Sequence, residues 1–127
     1  MVNIAKAQAK AQLASILGMV QRLQHAQQCN GAVGQAREAI QEDALSVEVR
    51  SYWYTPGQDK GDGEYRICLC PDVPACQIVG ELDERGQPKR AKLQYQDWFT
   101  PWEDYGELTD EEYDALLTYA QQFYFGR

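Results

Sequence analysis

The sequence predicts an α+β domain in which helices from both ends of the chain pack on one face of an antiparallel sheet. Three patterns indicate this class. An apolar stripe with a helical period lies near the N-terminus, alternating segments separated by polar turns fill the middle, and a capped amphipathic helix lies near the C-terminus. The 127 residues fit one domain. We expect a single domain over 1–127, divided into a helical region (1–45), a sheet region (46–100) and an acidic aromatic region (101–127).

Two helices are predicted in the first region. The first covers Ile4–Gln28, a stretch of good helix formers without proline, and Asn30-Gly31 suits its end because both residues tolerate a left-handed backbone. The second covers Ala32–Asp43. Four apolar side chains of the first helix approximate a heptad seam, so homo-oligomerisation through this helix is an alternative interpretation of the protein's role. They are Leu13, Ile16, Val20 and Leu23.

The middle of the chain predicts a four-stranded antiparallel meander, because apolar and polar residues alternate. The strands lie at 47–54, 65–70, 76–82 and 89–98. The connections between them are too short for anything but antiparallel neighbours. A last helix begins at Thr109, where Thr109 and Glu112 have the spacing of a capping box. We expect the terminal helices to cover one face of the sheet and to leave the other face polar.

The chain is acidic, and the negative charge is concentrated at one end. The net charge is −7, and residues 101–127 contain one basic and seven acidic residues, which gives −6 for that region. Such a chain does not provide the clustered Lys and Arg that neutralise nucleic-acid phosphates. The expected partner is therefore a basic protein, and charge attraction would favour its association.

Catalytic and cofactor motifs are missing from the sequence. The single histidine, His25, lies in the first predicted helix, without the nucleophile and the orienting group that a triad requires. The loop at 59–64 has glycine where calcium requires oxygen ligands. We therefore predict a non-enzymatic protein without a cofactor, and an enzyme of unrecognised type is the alternative.

The chain contains four cysteines, which are expected to be free thiols. They are Cys68, Cys70, Cys76 and the distant Cys29. A hairpin with a four-residue loop at 71–74 places Cys70 opposite Ala75 and puts Cys76 on the other face, although a one-residue change of register would reverse this. A metal site and a disulfide are the alternatives. Reduced cysteines, together with the lack of a clear signal peptide or transmembrane stretch, predict a cytoplasmic protein.

The segment from Asp97 to Gly106 is the most unusual part of the chain, because it combines acidic and aromatic residues. Two interpretations stay open: the rings fill the space between the sheet and the last helix, or part of the segment is exposed and recognises a basic partner. A paired-carboxylate active site formed by Asp97, Glu103 and Asp104 is a third interpretation. The predicted binding residues are Trp98, Trp102, Glu103, Asp104, Tyr105 and Glu107.

Two strings carry a resemblance to known sequences. They are Asp97-Trp98 followed by Thr100-Pro101-Trp102, and Leu116-Leu117 followed by Phe123-Tyr124-Phe125-Gly126. With these strings the chain resembles a group of short hypothetical proteins of bacteriophages and prophages, over a region from about Val47 to the C-terminus. The group has no established activity, so it provides no functional residues. The resemblance implies an accessory protein in the host cytosol. The leading hypothesis is a protein that binds a basic surface of a host protein, as an inhibitor or nucleic-acid mimic.

Overall fold

The computed structural model describes residues 4–29, 31–58, 63–70, 72, 74–106 and 108–125. Within these residues the chain forms three helices and five strands. In chain order they are α1 (Ile4–Gln28), α2 (Val33–Asp43), β1 (Ser46–Ser51), β2 (Gly63–Cys70), β3 (Ala75–Leu82), β4 (Lys92–Gln96), β5 (Glu103–Asp104) and α3 (Asp110–Ala120). None of the helices in these ranges combines the length and the apolarity that crossing a bilayer requires.

The strands form one antiparallel sheet in the order β1-β2-β3-β4-β5, and the predicted α+β class is confirmed. The sheet has one strand more than predicted, because the chain turns back after Thr100 and pairs Glu103 with Tyr95 and Asp104 with Gln94. Two residues are too few to produce an alternating pattern in the sequence. β1 and β5 are the two edges of the sheet.

α1 covers one face of the sheet with a stripe of buried side chains that runs along the whole helix. The helix contacts α2, α3, β3 and β4. The predicted oligomerisation seam is part of this stripe, and its four side chains are at most 2% exposed: Leu13, Ile16, Val20 and Leu23. They pack in the core of their own chain. A second copy therefore has no access to them in the folded protein, and assembly through this stripe is not supported.

α3 begins with the capping box that the sequence predicts. The Glu112 amide donates to the Thr109 hydroxyl at 3.1 Å, and the Thr109 amide donates to the Glu112 carboxylate at 2.9 Å. Further along the helix, the buried Tyr119 hydroxyl donates to the Asp43 carboxylate at 2.7 Å. This bond joins α3 to the end of α2.

The register of β2 and β3 agrees with the predicted hairpin up to Cys68 and differs from it at Cys70, which lies on the same face as Cys76. Cys70 lies opposite Cys76, and Cys68 lies opposite Gln77. The predicted pairing of Cys70 with Ala75 is wrong because β2 contains an irregularity between Cys68 and Cys70. One extra residue in a strand shifts the register and changes the face on which the following side chains lie.

Gly80 allows β3 and the segment before β4 to approach closely. A Cβ atom at Gly80 would lie 2.0 Å from the carbonyl oxygen of Arg90 and 2.8 Å from the ring of Tyr65. The Tyr65 hydroxyl donates to the same Arg90 oxygen at 2.6 Å. The missing side chain therefore makes room for both the backbone and the ring.

Candidate functional site

The turn between β4 and β5 has a fixed backbone. The Thr100 hydroxyl donates to the Asp97 carbonyl oxygen at 3.0 Å and accepts from the Asp97 amide at 3.2 Å. The Asp97 carboxylate accepts from the Trp98 amide at 2.8 Å, and Gln96 Nε2 donates to the Thr100 carbonyl oxygen at 3.0 Å. These bonds hold both sides of the turn, so they set the direction of the residues at its tip.

Trp98 and Phe99 occupy the tip of this turn and face solvent. Trp98 is 65% exposed and Phe99 is 103% exposed. Their ring centroids lie 6.3 Å apart, with the ring planes inclined by 45°, which is within the usual range of an aromatic pair. The interpretation of the segment as core is therefore wrong for these two rings, and they form a pair on the surface.

Phe99 also has an unusual backbone conformation. Its φ is +60°, and within the described ranges it is the sole residue other than glycine with a positive φ. This conformation brings Cβ close to the following carbonyl group and costs an L-residue about 1–2 kcal/mol. The fully exposed ring gains no core packing that would offset the cost. Strained backbone of this kind is concentrated at functional sites.

Two further predicted binding residues, Trp102 and Tyr105, are more closely attached to the fold. Trp102 is 36% exposed. The Tyr105 amide donates to the Leu93 carbonyl oxygen at 2.8 Å, and the Lys6 ammonium lies 5.9 Å from the centroid of the Tyr105 ring, within cation–π range. Tyr105 therefore connects the segment to β4 and α1 and offers less surface to a partner than the ring pair does.

Glu103 and Asp104 form the edge strand β5 beside the turn, and both are exposed. Successive strand residues face opposite sides of a sheet, so one carboxylate lies on each side of this edge. The Asp104 carboxylate accepts from Gln94 Nε2 at 2.9 Å and lies 3.4 Å from the Lys92 ammonium. The hydrogen bond from Gln94, followed by the contact with Lys92, holds the pKa of Asp104 below its ordinary value. Asp104 is thus an anion with partners in its own chain.

A row of side-chain amides connects Asp104 to the middle of the sheet. Gln77 is only 6% exposed, and its Nε2 donates to Gln94 Oε1 at 2.8 Å. Gln94 therefore accepts through its oxygen and donates through its nitrogen. The three residues lie opposite one another on β3, β4 and β5, and the row holds the short edge strand to the sheet.

The acidic residues that follow β5 lie away from the ring pair. After β5 the chain runs back along β4, away from the turn. The exposed acids of α3 follow on that path: Asp110, Glu111 and Asp114. Glu107, a predicted binding residue, lies outside the described residues. The acids next to the ring pair are therefore Asp97 and the two residues of β5.

A second exposed aromatic group follows β1, at Tyr52, Trp53 and Tyr54. The sequence predicts these residues as part of the first strand, yet β1 ends at Ser51, which is the residue opposite the first residue of β2, Gly63. The signal in the sequence is a run of three rings just before the Pro56-Gly57 turn. This group lies at the opposite edge and the opposite end of the sheet from the ring pair. Because three strand spacings, about 14 Å, separate β1 from β4, the two groups are separate surfaces.

The open face of the sheet contains a depression of about 760 Å³. Its carboxylates are paired with cations. Glu48 pairs with Arg66 (2.8 Å) and Glu64 with Arg50 across β1 and β2, and Glu81 of β3 pairs with Lys89 (3.7 Å) and Arg90 (3.8 Å) in the segment before β4. Such cross-strand pairs stabilise a sheet. The residues of the paired-carboxylate interpretation, Asp97, Glu103 and Asp104, do not line this depression.

The four cysteines are free thiols. Cys76 is fully buried, and burial raises the pKa of its thiol to about 12. Cys70 faces α1, where its Sγ accepts from the side-chain amides of Gln8 at 3.2 Å and Gln12 at 3.1 Å. Cys29 is exposed and directly follows the last residue of α1. The thiols therefore differ widely in environment.

Metal ligands do not converge in the part of the chain that the structure describes. The Sγ atom of Cys29 lies 3.9 Å from Nδ1 of His25, but no group of three His, Cys, Asp or Glu side chains within that part is placed to hold a metal ion. Zinc requires four ligands in a structural site and three in a catalytic site.

Comparison with models of protein families, with curated proteins and with solved structures finds no match to this chain. The fold and the site define an α+β protein with an exposed ring pair beside an acidic sheet edge. These features are the basis for the function proposed below.

Proposed function

We propose that this chain is a non-enzymatic binding protein whose ring pair, Trp98 and Phe99, enters a pocket on a basic partner protein. One observation supports the proposal above all: two large rings stand exposed on a hydrogen-bonded turn, one of them on a strained backbone. Strain and exposed apolar surface lower the stability of the free protein. A partner that buries both rings would account for their presence.

The rings, more than the charges, would provide the affinity. Each ring can bury about 150–250 Å², so the pair offers about 300–500 Å², equivalent to about 8–12 kcal/mol before the costs of association. An exposed ion pair contributes less than about 1 kcal/mol. The fixed turn also lowers the entropy that binding would cost. The ring pair is therefore expected to be the hot spot of the interface.

The acids beside the rings would select a basic partner. Glu103 and Asp104 lie on the edge strand next to the turn, and exposed charges act over about 10 Å at ordinary ionic strength. Because Asp104 already interacts with Lys92 and Gln94, Glu103 is expected to contribute more to recognition. Such charges mainly raise the association rate, and salt weakens them.

The resemblance to phage and prophage proteins suggests a context for this binding. In that context the partner is a host protein with a basic surface, and the acidic edge would occupy a groove that otherwise holds nucleic acid. The cytoplasmic location predicted from the reduced cysteines is part of the same proposal.

The test has two stages. Tagged protein is first used to capture partners from a bacterial lysate at low salt, with cross-linking and mass spectrometry to locate the contact. The purified partner is then titrated by calorimetry against Trp98→Ala and Phe99→Ala. Each variant is expected to raise the Kd by about 30-fold or more, as hot-spot aromatic residues do. Glu103→Lys is expected to slow association and to reduce its dependence on salt.

Tyr124→Ala is the matched control, because Tyr124 is also a large exposed ring (79%) but lies outside the turn. It should leave the Kd unchanged. The proposal is wrong if the ring-pair variants bind as tightly as the native protein, or if Tyr124→Ala weakens binding by the same factor. Affinity that is independent of both salt and Glu103 would refute the preference for a basic partner.

A further inference from the structure

The outer edge of β1 is open for pairing. Among the residues that the structure describes, β1 is the first strand in the sheet order and has a neighbour on one side only, β2. Its sequence, Ser46-Val47-Glu48-Val49-Arg50-Ser51, contains no proline, glycine or lysine. Proline and lysine are two of the residues with which natural proteins protect an edge strand from pairing with another chain. The protection that β1 has is the pair of charges Glu48 and Arg50, so a strand that pairs with this edge must match both charges.

The charges of β1 and β2 alternate in sign across the open face. Glu48 lies opposite Arg66, and Nη2 of Arg66 is 2.8 Å from the Glu48 carboxylate. Two residues further along β1, Arg50 lies opposite Glu64 and forms an ion pair with it. One cross-strand row therefore ends at the edge with the negative charge of Glu48, and the other ends with the positive charge of Arg50.

From this pattern we infer that the edge of β1 pairs with the β1 strand of a second copy of this chain. In an antiparallel pair about a two-fold axis at Val49, Glu48 lies opposite Arg50 of the second copy, and Arg50 lies opposite Glu48 of the second copy. Each row then continues with alternating sign over four strands, as Arg66, Glu48, Arg50, Glu64. The pairing would join the two five-stranded sheets into one of ten strands.

The charges also exclude the neighbouring registers. Both copies keep their open faces on the same side of the joined sheet only if the register changes in steps of two residues. Shifting the register by two residues in one direction places Glu48 opposite Glu48 of the second copy. Shifting it by two residues in the other direction places Arg50 opposite Arg50 of the second copy. Like charges directly opposite each other destabilise a strand pair. The register centred on Val49 is therefore the favoured one.

The same register accounts for exposed apolar side chains around β1. Val49 is 52% exposed and would meet Val49 of the second copy at the axis. Four residues on either side, Trp53 is 102% exposed and Leu45 is 60% exposed. When residues 52 and 53 follow the direction of β1, Trp53 of each copy lies beside Leu45 of the other copy. The two-fold axis therefore produces this contact twice. These contacts give apolar area to an interface that otherwise consists of backbone and charge.

Light scattering and sedimentation over a range of concentrations test the inference. The interface is short, so we expect a dimer to form at protein concentrations of about 100 µM. Glu48→Arg places two arginines opposite each other at both rows, and Arg50→Glu places two glutamates there. Each single variant is expected to raise the Kd of the dimer by about tenfold or more.

Mixing the two variants provides the decisive measurement. In a mixed pair, the arginines at 48 and 50 of one copy lie opposite the glutamates at 50 and 48 of the other. The two proteins should therefore be monomeric alone and dimeric together. Because a misfolded variant would not recover on mixing, this result also shows that both variants fold.

Arg66→Gln is the matched control, since it breaks the same intramolecular pair as Glu48→Arg but leaves the edge charges unchanged. It should remain dimeric. A native protein that stays monomeric up to about 1 mM overturns the inference and would leave the edge open to a strand from another protein. The inference is also overturned if both single variants dimerise as the native protein does, since assembly would then use another surface.

Discussion

Replacing Phe99 with glycine is expected to stabilise the fold while removing a ring from the binding surface. The φ of Phe99 is +60°, a conformation that costs an L-residue about 1–2 kcal/mol and that glycine adopts freely. Glycine also has more conformations in the unfolded chain, which lowers the gain by about 0.4–1 kcal/mol. The ring is fully exposed, so the core loses nothing. The net increase in the free energy of unfolding is about 0.5–1 kcal/mol.

Phe99→Ala is the control for this prediction, because alanine removes the ring but keeps the Cβ atom that makes the conformation costly. Its stability should lie within about 0.5 kcal/mol of the native protein. Urea unfolding measures the difference directly. For a chain of 127 residues, the expected advantage of Phe99→Gly over Phe99→Ala corresponds to about 3 °C in Tm. Both variants should lose the partner to the same extent, because both lack the ring.

The reasoning is refuted if Phe99→Gly is no more stable than Phe99→Ala, since the turn would then contain no strain for binding to explain. An equal gain in both variants would refute the backbone argument and also identify the cause. It would show that the exposed ring, and not the backbone, destabilises the native protein.

Three further predictions concern the fold. Tyr119→Phe removes the bond to the Asp43 carboxylate and should lower the free energy of unfolding by about 1.5 kcal/mol in urea titrations; an unchanged midpoint would contradict the link between α2 and α3. Gly80→Ala places Cβ 2.0 Å from a backbone oxygen and should cost about 3 kcal/mol or more. Gly18→Ala is the control and should not destabilise the protein, because the added Cβ lies within 4 Å of no atom beyond the adjacent backbone of its own helix. In native protein a thiol reagent should modify Cys29 first and Cys76 last, because Cys76 is buried with a raised pKa; mass spectrometry of partly modified protein shows the order, and early modification of Cys76 would contradict the burial.

The helices could be predicted from the sequence because their signals are local. The first helix has the predicted bounds, and the capping box at Thr109 starts the last one, since both depend on residues within a few turns of one another. The short connections between the strands were also sufficient to predict the antiparallel order. Strand ends were less accurate. β1 ends at Ser51 because its neighbour begins there, and the residues that follow favour a strand in their own right.

The candidate site depended on features that no local pattern shows. Aromatic residues are usually buried, so the sequence alone could not decide between core and surface for Trp98. The decision depends on the hydrogen-bonded turn, at whose tip both rings are exposed to solvent. The register of the cysteines depended on one irregular residue between Cys68 and Cys70. The proposed edge pairing of β1 likewise depends on a register between strands, which places Glu48 opposite Arg66 and Arg50 opposite Glu64.

The amide row of the open face has a direction, and this direction makes a remote position matter to the turn. Gln77 donates to Gln94, which leaves the Gln94 nitrogen to donate to Asp104. A carboxylate at position 77 would attract that nitrogen instead, and Gln94 would rotate its oxygen toward the Asp104 carboxylate. Two acceptors would then repel each other at the edge of the sheet. Gln77→Glu, which replaces one nitrogen by oxygen in the middle of the sheet, would thus loosen β5, the short strand on which the exposed rings depend for their position.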